Sequence, residues 1–71
     1  MDVVNVPRPD LSEDDVAVLA LLARGLSLDA VARRLDTSDR TVRRRTRTIC
    51  DRLGVATPIE AVVWAARRGL I

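Results

Sequence analysis

The 71-residue chain contains no histidine, tyrosine, phenylalanine or lysine, and only one cysteine and one tryptophan. Without histidine, clustered cysteines or a Gly-rich phosphate loop, it lacks the usual parts of general acid–base centres, zinc sites and nucleotide cradles. The carboxylates Asp14, Asp15 and Asp51 are scattered, with no base partner or pocket evident around them. No enzyme is expected, and no metal or cofactor. A lone Cys50 forms no internal disulfide, which points to a reducing, cytoplasmic setting. No apolar run approaches the roughly 20 residues that would cross a bilayer, so no membrane partner is expected. The opening MDVVNVPRPD is acidic and holds Pro7 and Pro9, unlike a signal or transit peptide.

What is present is Val, Leu, Ala and Ile for a core, and arginine for the surface. A chain this short forms one domain, burying only about 60% of the surface its unfolded form exposes. Such a core holds helices together but leaves little room for an interior ligand pocket. All twelve basic residues are arginine, and the formal net charge of +2 hides an asymmetry. Residues 1–30 carry net −4 and residues 31–71 net +6. A basic second half in a chain of pI about 9.9 is the footprint of nucleic-acid binding.

Residues 1–10 read as a flexible lead-in and residues 11–71 as the folded domain. Ser12 caps a first helix, with three acids in its first turn, Leu11 stapled to Val16, and Gly25 as its stop. Val16, Leu19, Leu22 and Ala23 form its expected buried stripe, supplemented by Val18. Ser27 caps a short second helix through Leu35, with Val31, Ala32 and Leu35 turned inward. Asp36 and Thr37 make a tight turn, Ser38 caps a long third helix, and Gly54 stops it. At 100° per residue, Val42, Thr46, Ile49 and Leu53 share one side of that helix. Arg40, Arg44, Arg47 and Asp51 share the opposite side, with Arg43 at its shoulder. Cys50 falls about 80° from the buried line and reads as a half-buried filler, reactive only if nearby arginines lower its pKa. Two capped helices joined by so short a turn, the second rich in arginine, have the shape of a helix-turn-helix. Thr57-Pro58-Ile59-Glu60 is a capping box opening a fourth helix to about Arg68. Ile59, Val63 and Ala66 lie on one of its faces, and Ala61, Val62 and Ala65 on another. A helix apolar nearly all round needs two partners: its own core and, on this reading, a second subunit. The expected class is all-α, with four helices.

The set Leu26-Ser27, Val31-Ala32, Leu35, Ser38, Thr41-Val42, Ile49, Leu53-Gly54-Val55 and Glu60-Ala61-Val62 resembles the LuxR-type (GerE-type) helix-turn-helix domain. The resemblance runs from about Leu11 to Ile71 and involves all four helices. It implies a tetrahelical DNA-binding domain whose third helix enters the major groove, working as a homodimer through the fourth. The family's Thr-Val-Lys-x-His run falls on Thr41-Val42-Arg43-Arg44-Arg45, which implies DNA contacts from Thr41, Arg43, Arg44 and Arg47. The helical face adds Arg40. The dimer interface is expected at Ile59, Val63, Trp64 and Arg67.

Departures from the family pattern are specific. Asp14, Asp15 and Ala17 replace an Arg-Glu pair and a further Glu. Asp29 stands where a base is common, and Thr37 where a branched apolar residue is. Arg45 replaces the His and puts a third consecutive arginine on the groove-bearing helix. These changes mark a divergent member with its own site preference, or one that has lost ordinary operator binding.

Sequence-specific recognition of double-stranded DNA in transcriptional control, by a stand-alone regulator or by part of a larger one, is the leading expectation. Arg47 is expected to read a base and Arg52 to matter little. The alternatives are a protein-interaction module of the same fold, with RNA polymerase or a regulator as its partner, and a sigma-factor region-4-like domain. The capped fourth helix speaks against the last.

Overall fold

The computed structural model describes residues 11–71; the expected lead-in at residues 1–10 lies outside them. Four helices form, α1 (Glu13–Ala23), α2 (Leu28–Arg34), α3 (Asp39–Leu53) and α4 (Pro58–Arg67), with no strand among the described residues. Each starts on a hydroxyl residue read from the sequence. Ser12, Ser27, Ser38 and Thr57 each accept the backbone N–H three residues on, satisfying a donor that the helix leaves without a partner. Thr57 and Glu60 close the expected capping box. A second box was not read from the sequence: Ser12 N–H donates to Asp15 Oδ2 and Asp15 N–H to Ser12 Oγ, both at 3.1 Å.

The helices also end alike. After each, one residue turns left-handed and the next N–H returns to a carbonyl five positions back, as in Leu26 to Leu21 and Thr37 to Ala32. Gly25, Gly54 and Gly69 serve three of these turns, and the α2–α3 turn uses Asp36 at φ 56°. That turn brings the two helices of the helix-turn-helix into register.

The core divides in two. Val18, Leu21, Val31, Ala32 and Val42 gather α1, α2 and the first half of α3. Leu11, Leu19, Ile49, Cys50, Ala61 and Ala65 gather α1, α4 and the second half of α3. Helix α3 is therefore seated at both ends, on Val42 and on Ile49, each 1% exposed. Thr46, between them, is buried with its hydroxyl donating to Val42 O at 2.8 Å, so no polar group is stranded there.

Several expected burials differ. Helix α1 touches all three other helices, so its buried surface wraps further round than one stripe. Leu21 and Asp15 are buried, Val16 and Leu22 only half-buried, and Ala23 is exposed. Leu35, expected inside, is 37% exposed because α2 ends before it and its backbone has already left helical geometry. Leu53 is half-buried, while Cys50 is buried rather than half-buried.

Candidate nucleic-acid interface

Seating Val42, Thr46 and Ile49 fixes the rotation of α3, and helical periodicity then decides which arginines face out. Arg40, Arg43, Arg44 and Arg47 are all exposed and recur at helical spacing on the outer side. Two grooves flank the helix. One of about 380 Å³ lies beside α1 and is lined by Ser12, Asp15, Thr41, Arg44, Arg45, Thr48 and Arg52. The other, of about 550 Å³, lies toward α2 and the start of α4 and includes Arg43, Arg47 and Asp51. Helix α3 stands between them as a ridge.

The arginines of this helix divide by what holds them. Arg40, Arg44 and Arg47 have no carboxylate partner among the described residues. Arg43 is held: its Nε donates to Asp39 Oδ2 at 2.9 Å, and its Nη2 lies 3.9 Å from Asp29 Oδ1. The Asp39 carboxylate accordingly pushes the Arg43 pKa up. The neighbouring Asp39 pushes the Asp29 pKa up from its ordinary value, and Asp29, with Arg43 second, holds that of Asp39 down. Thr41 is half-buried, and its Oγ1 accepts a hydrogen bond from Ser38 Oγ at 2.8 Å.

Arg45, the third consecutive arginine on α3, stands apart from this ridge. It turns inward, its Nη1 donating to Asp15 Oδ1 at 3.1 Å. Arg52 approaches the other oxygen, with Nη1 3.7 Å from Asp15 Oδ2. Asp15, read from the sequence as a scattered acid without a base partner, is the buried tie between the start of α1 and two turns of α3. The Ser12-x-x-Asp15 spacing was the signal available for its capping role. Nothing in the sequence marked the ties to Arg45, 30 residues on, and to Arg52, a further two turns along α3.

On α4, Ile59 is 69% and Val63 43% exposed, and Ala66 and Arg67 are exposed on the same side. Trp64 does not belong to that open row. It is half-buried against the Leu19 cluster, and the Arg68 guanidinium stacks 3.9 Å from its ring centroid. The four residues expected at a dimer interface thus fall into an exposed trio and one largely core residue.

Cys50 is 7% exposed. Burial, with Asp51 and Glu60 adding to it, pushes its thiol up, opposite to the lowering that arginines would give. No group of His, Cys, Asp and Glu that would hold a metal occurs among the described residues. No helix among them is long and apolar enough to cross a membrane.

The family described as bacterial regulatory proteins, luxR family, matches residues 9–65. The chain is similar to the transcriptional regulatory protein YdfI of Bacillus subtilis (strain 168), at 39% identity over 61 residues. That match covers 86% of the chain and 29% of the relative, so the chain spans less than a third of the relative's length. No solved structure matches the chain significantly.

Proposed function

As the chain belongs to the luxR family of bacterial regulatory proteins, we propose that it is the DNA-binding unit of a transcription regulator, acting as a homodimer with α3 in the major groove. The observation that carries this reading is the ridge of Arg40, Arg43, Arg44 and Arg47 standing clear between two grooves. A helix about 10–12 Å across fits a major groove about 12 Å wide. The outward arginines neutralise phosphates and release counterions, so affinity falls steeply with salt. Those that reach base edges supply about 1–3 kcal/mol of discrimination per bidentate guanine contact. Arg40 and Arg44, without a carboxylate partner among the described residues, suit phosphate or base contact, and Arg47 on the next turn suits a base. Thr41, its hydroxyl engaged with Ser38, contributes shape or a methyl contact. Ile59, Val63 and Arg67, with Trp64 behind them, form the surface through which two copies pair.

Selection of bound sequences from a random duplex pool, followed by salt-titrated binding, tests the reading. Arg47→Ala should weaken binding to the selected duplex by about 5- to 100-fold and relax preference at one base pair. Arg52→Ala, turned toward α1, should leave the preference intact. Equal small losses on selected and random DNA for Arg47→Ala would remove its base-reading role. Absence of duplex binding even at low salt would favour a protein-interaction module using the apolar α4 face, with RNA polymerase among the candidate partners.

A further inference from the structure

Arg43 differs from its neighbours on the α3 ridge in being restrained before any ligand arrives. Its Nε is bonded to Asp39, one turn back on the same helix, at 2.9 Å. Its Nη2 lies 3.9 Å from Asp29 on α2, beyond hydrogen-bond distance, so both terminal nitrogens stay available. Asp39 is the first residue of α3, and its Oδ1 is buried with no donor among the described residues. The two acids thus flank one guanidinium where α2 meets the start of α3.

Reading guanine takes two parallel N–H donors aimed at O6 and N7. A free arginine on a flexible stem turns as readily to a phosphate as to a base edge. A guanidinium bonded through Nε is restrained in its plane and keeps both terminal nitrogens as donors. The adjacent carboxylate also disfavours a phosphate in the same place. We propose that Asp39 is a positioning residue for base recognition: it holds Arg43 so that its terminal nitrogens read a guanine. The proposal rests on the reading of α3 as the groove-entering helix.

The test compares sequences enriched from a random duplex pool by the wild-type chain and by Arg43→Ala, Asp39→Asn and Asp39→Glu, each shown to be folded by circular dichroism. Arg43→Ala and Asp39→Asn should lose the same guanine, its preference over the other bases falling about fivefold or more. Binding of Asp39→Asn to random duplex should be unchanged or slightly tighter. Asp39→Glu keeps a carboxylate one turn from Arg43 and should retain the guanine. If Asp39→Asn keeps a guanine that Arg43→Ala loses, the positioning role is overturned while the groove reading stands. If Asp39→Asn binds the selected duplex more tightly with unchanged preference, Asp39 restrains Arg43 against DNA, and the proposal is again wrong. A wild-type chain that enriches no sequence overturns the groove reading itself, and this inference with it.

Discussion

Asp15 sits at 4% exposure with Ser12 N–H, Arg45 and Arg52 around its two oxygens. A carboxylate taken out of water is costly unless its oxygens are bonded, and breaking such a set strands what remains. Arg45 and Arg52 keep 37% and 54% of their side-chain surface in solvent, so the loss on removing Asp15 is smaller than for a fully buried pair. Asp15→Ala also removes half of the α1 capping box. It should lower unfolding free energy by about 1–3 kcal/mol in urea titrations. Arg45→Ala should cost less, and the double variant should show coupling of about 0.5–1 kcal/mol. Strictly additive losses would mean that the 3.1 Å contact contributes nothing to the fold. The same contact explains why Arg45 is absent from the basic ridge although it sits beside Arg43 and Arg44 in the chain.

Between residue and molecule, the unit that matters is the α2–α3 pair and the turn that sets its angle. Asp36 holds the left-handed position there at φ 56°, where the other three helix ends use glycine. A non-glycine residue in that conformation costs roughly 1–2 kcal/mol, less for Asp, whose short side chain bonds locally. Part of any gain from glycine is returned through the greater freedom of the unfolded chain. Asp36→Gly should therefore stabilise the domain by about 0.5 kcal/mol and leave duplex affinity unchanged. A lower melting temperature would show that the Asp36 side chain makes a contribution of its own. This element level is also where the sequence was most legible. Caps and stops act within four residues, so all four helices, their start residues and the 3.6-residue rows of Val42, Thr46 and Ile49 followed from local pattern. The outward arginines followed with them. Leu35, Ala23 and Arg45 did not, because their environment depends on which distant helix lies opposite: α2 ends just short of Leu35, α1 meets three helices, and Asp15 draws Arg45 inward. The Asp39–Arg43 pair was within reach of the i, i+4 rule, but Asp29 entered only once α2 had been docked beside α3.

At the scale of the whole molecule, the proposed function raises the question of how so small a domain would bind an operator tightly. On the proposed reading, one copy offers a duplex a single 15-residue ridge, about 22 Å long. Pairing two copies makes the second contact intramolecular, which multiplies affinity without any new contact to DNA. The surface available for pairing is the row Ile59, Val63, Ala66 and Arg67 on α4, opposite Ala61 and Ala65, which are 0% exposed in the core. In a two-fold arrangement this row meets itself, so one substitution acts twice. A single helix face buries less than the roughly 1,200 Å² of a standard stable interface, so pairing should be weak in free solution and completed on DNA. Val63→Asp puts two like charges at the centre of such a contact while changing a side chain that is already 43% exposed. It should leave the fold within about 0.5 kcal/mol of wild type. On a duplex with two half-sites, affinity should fall tenfold or more, roughly the size of the avidity term, with single-half-site binding unaltered. Sedimentation should show a dimer on the two-site duplex for wild type and a single bound copy for Val63→Asp at the same concentration. If wild type stays monomeric at high concentration, alone and on a palindromic duplex, α4 is not a dimer surface, and its exposed apolar row must be assigned to another partner.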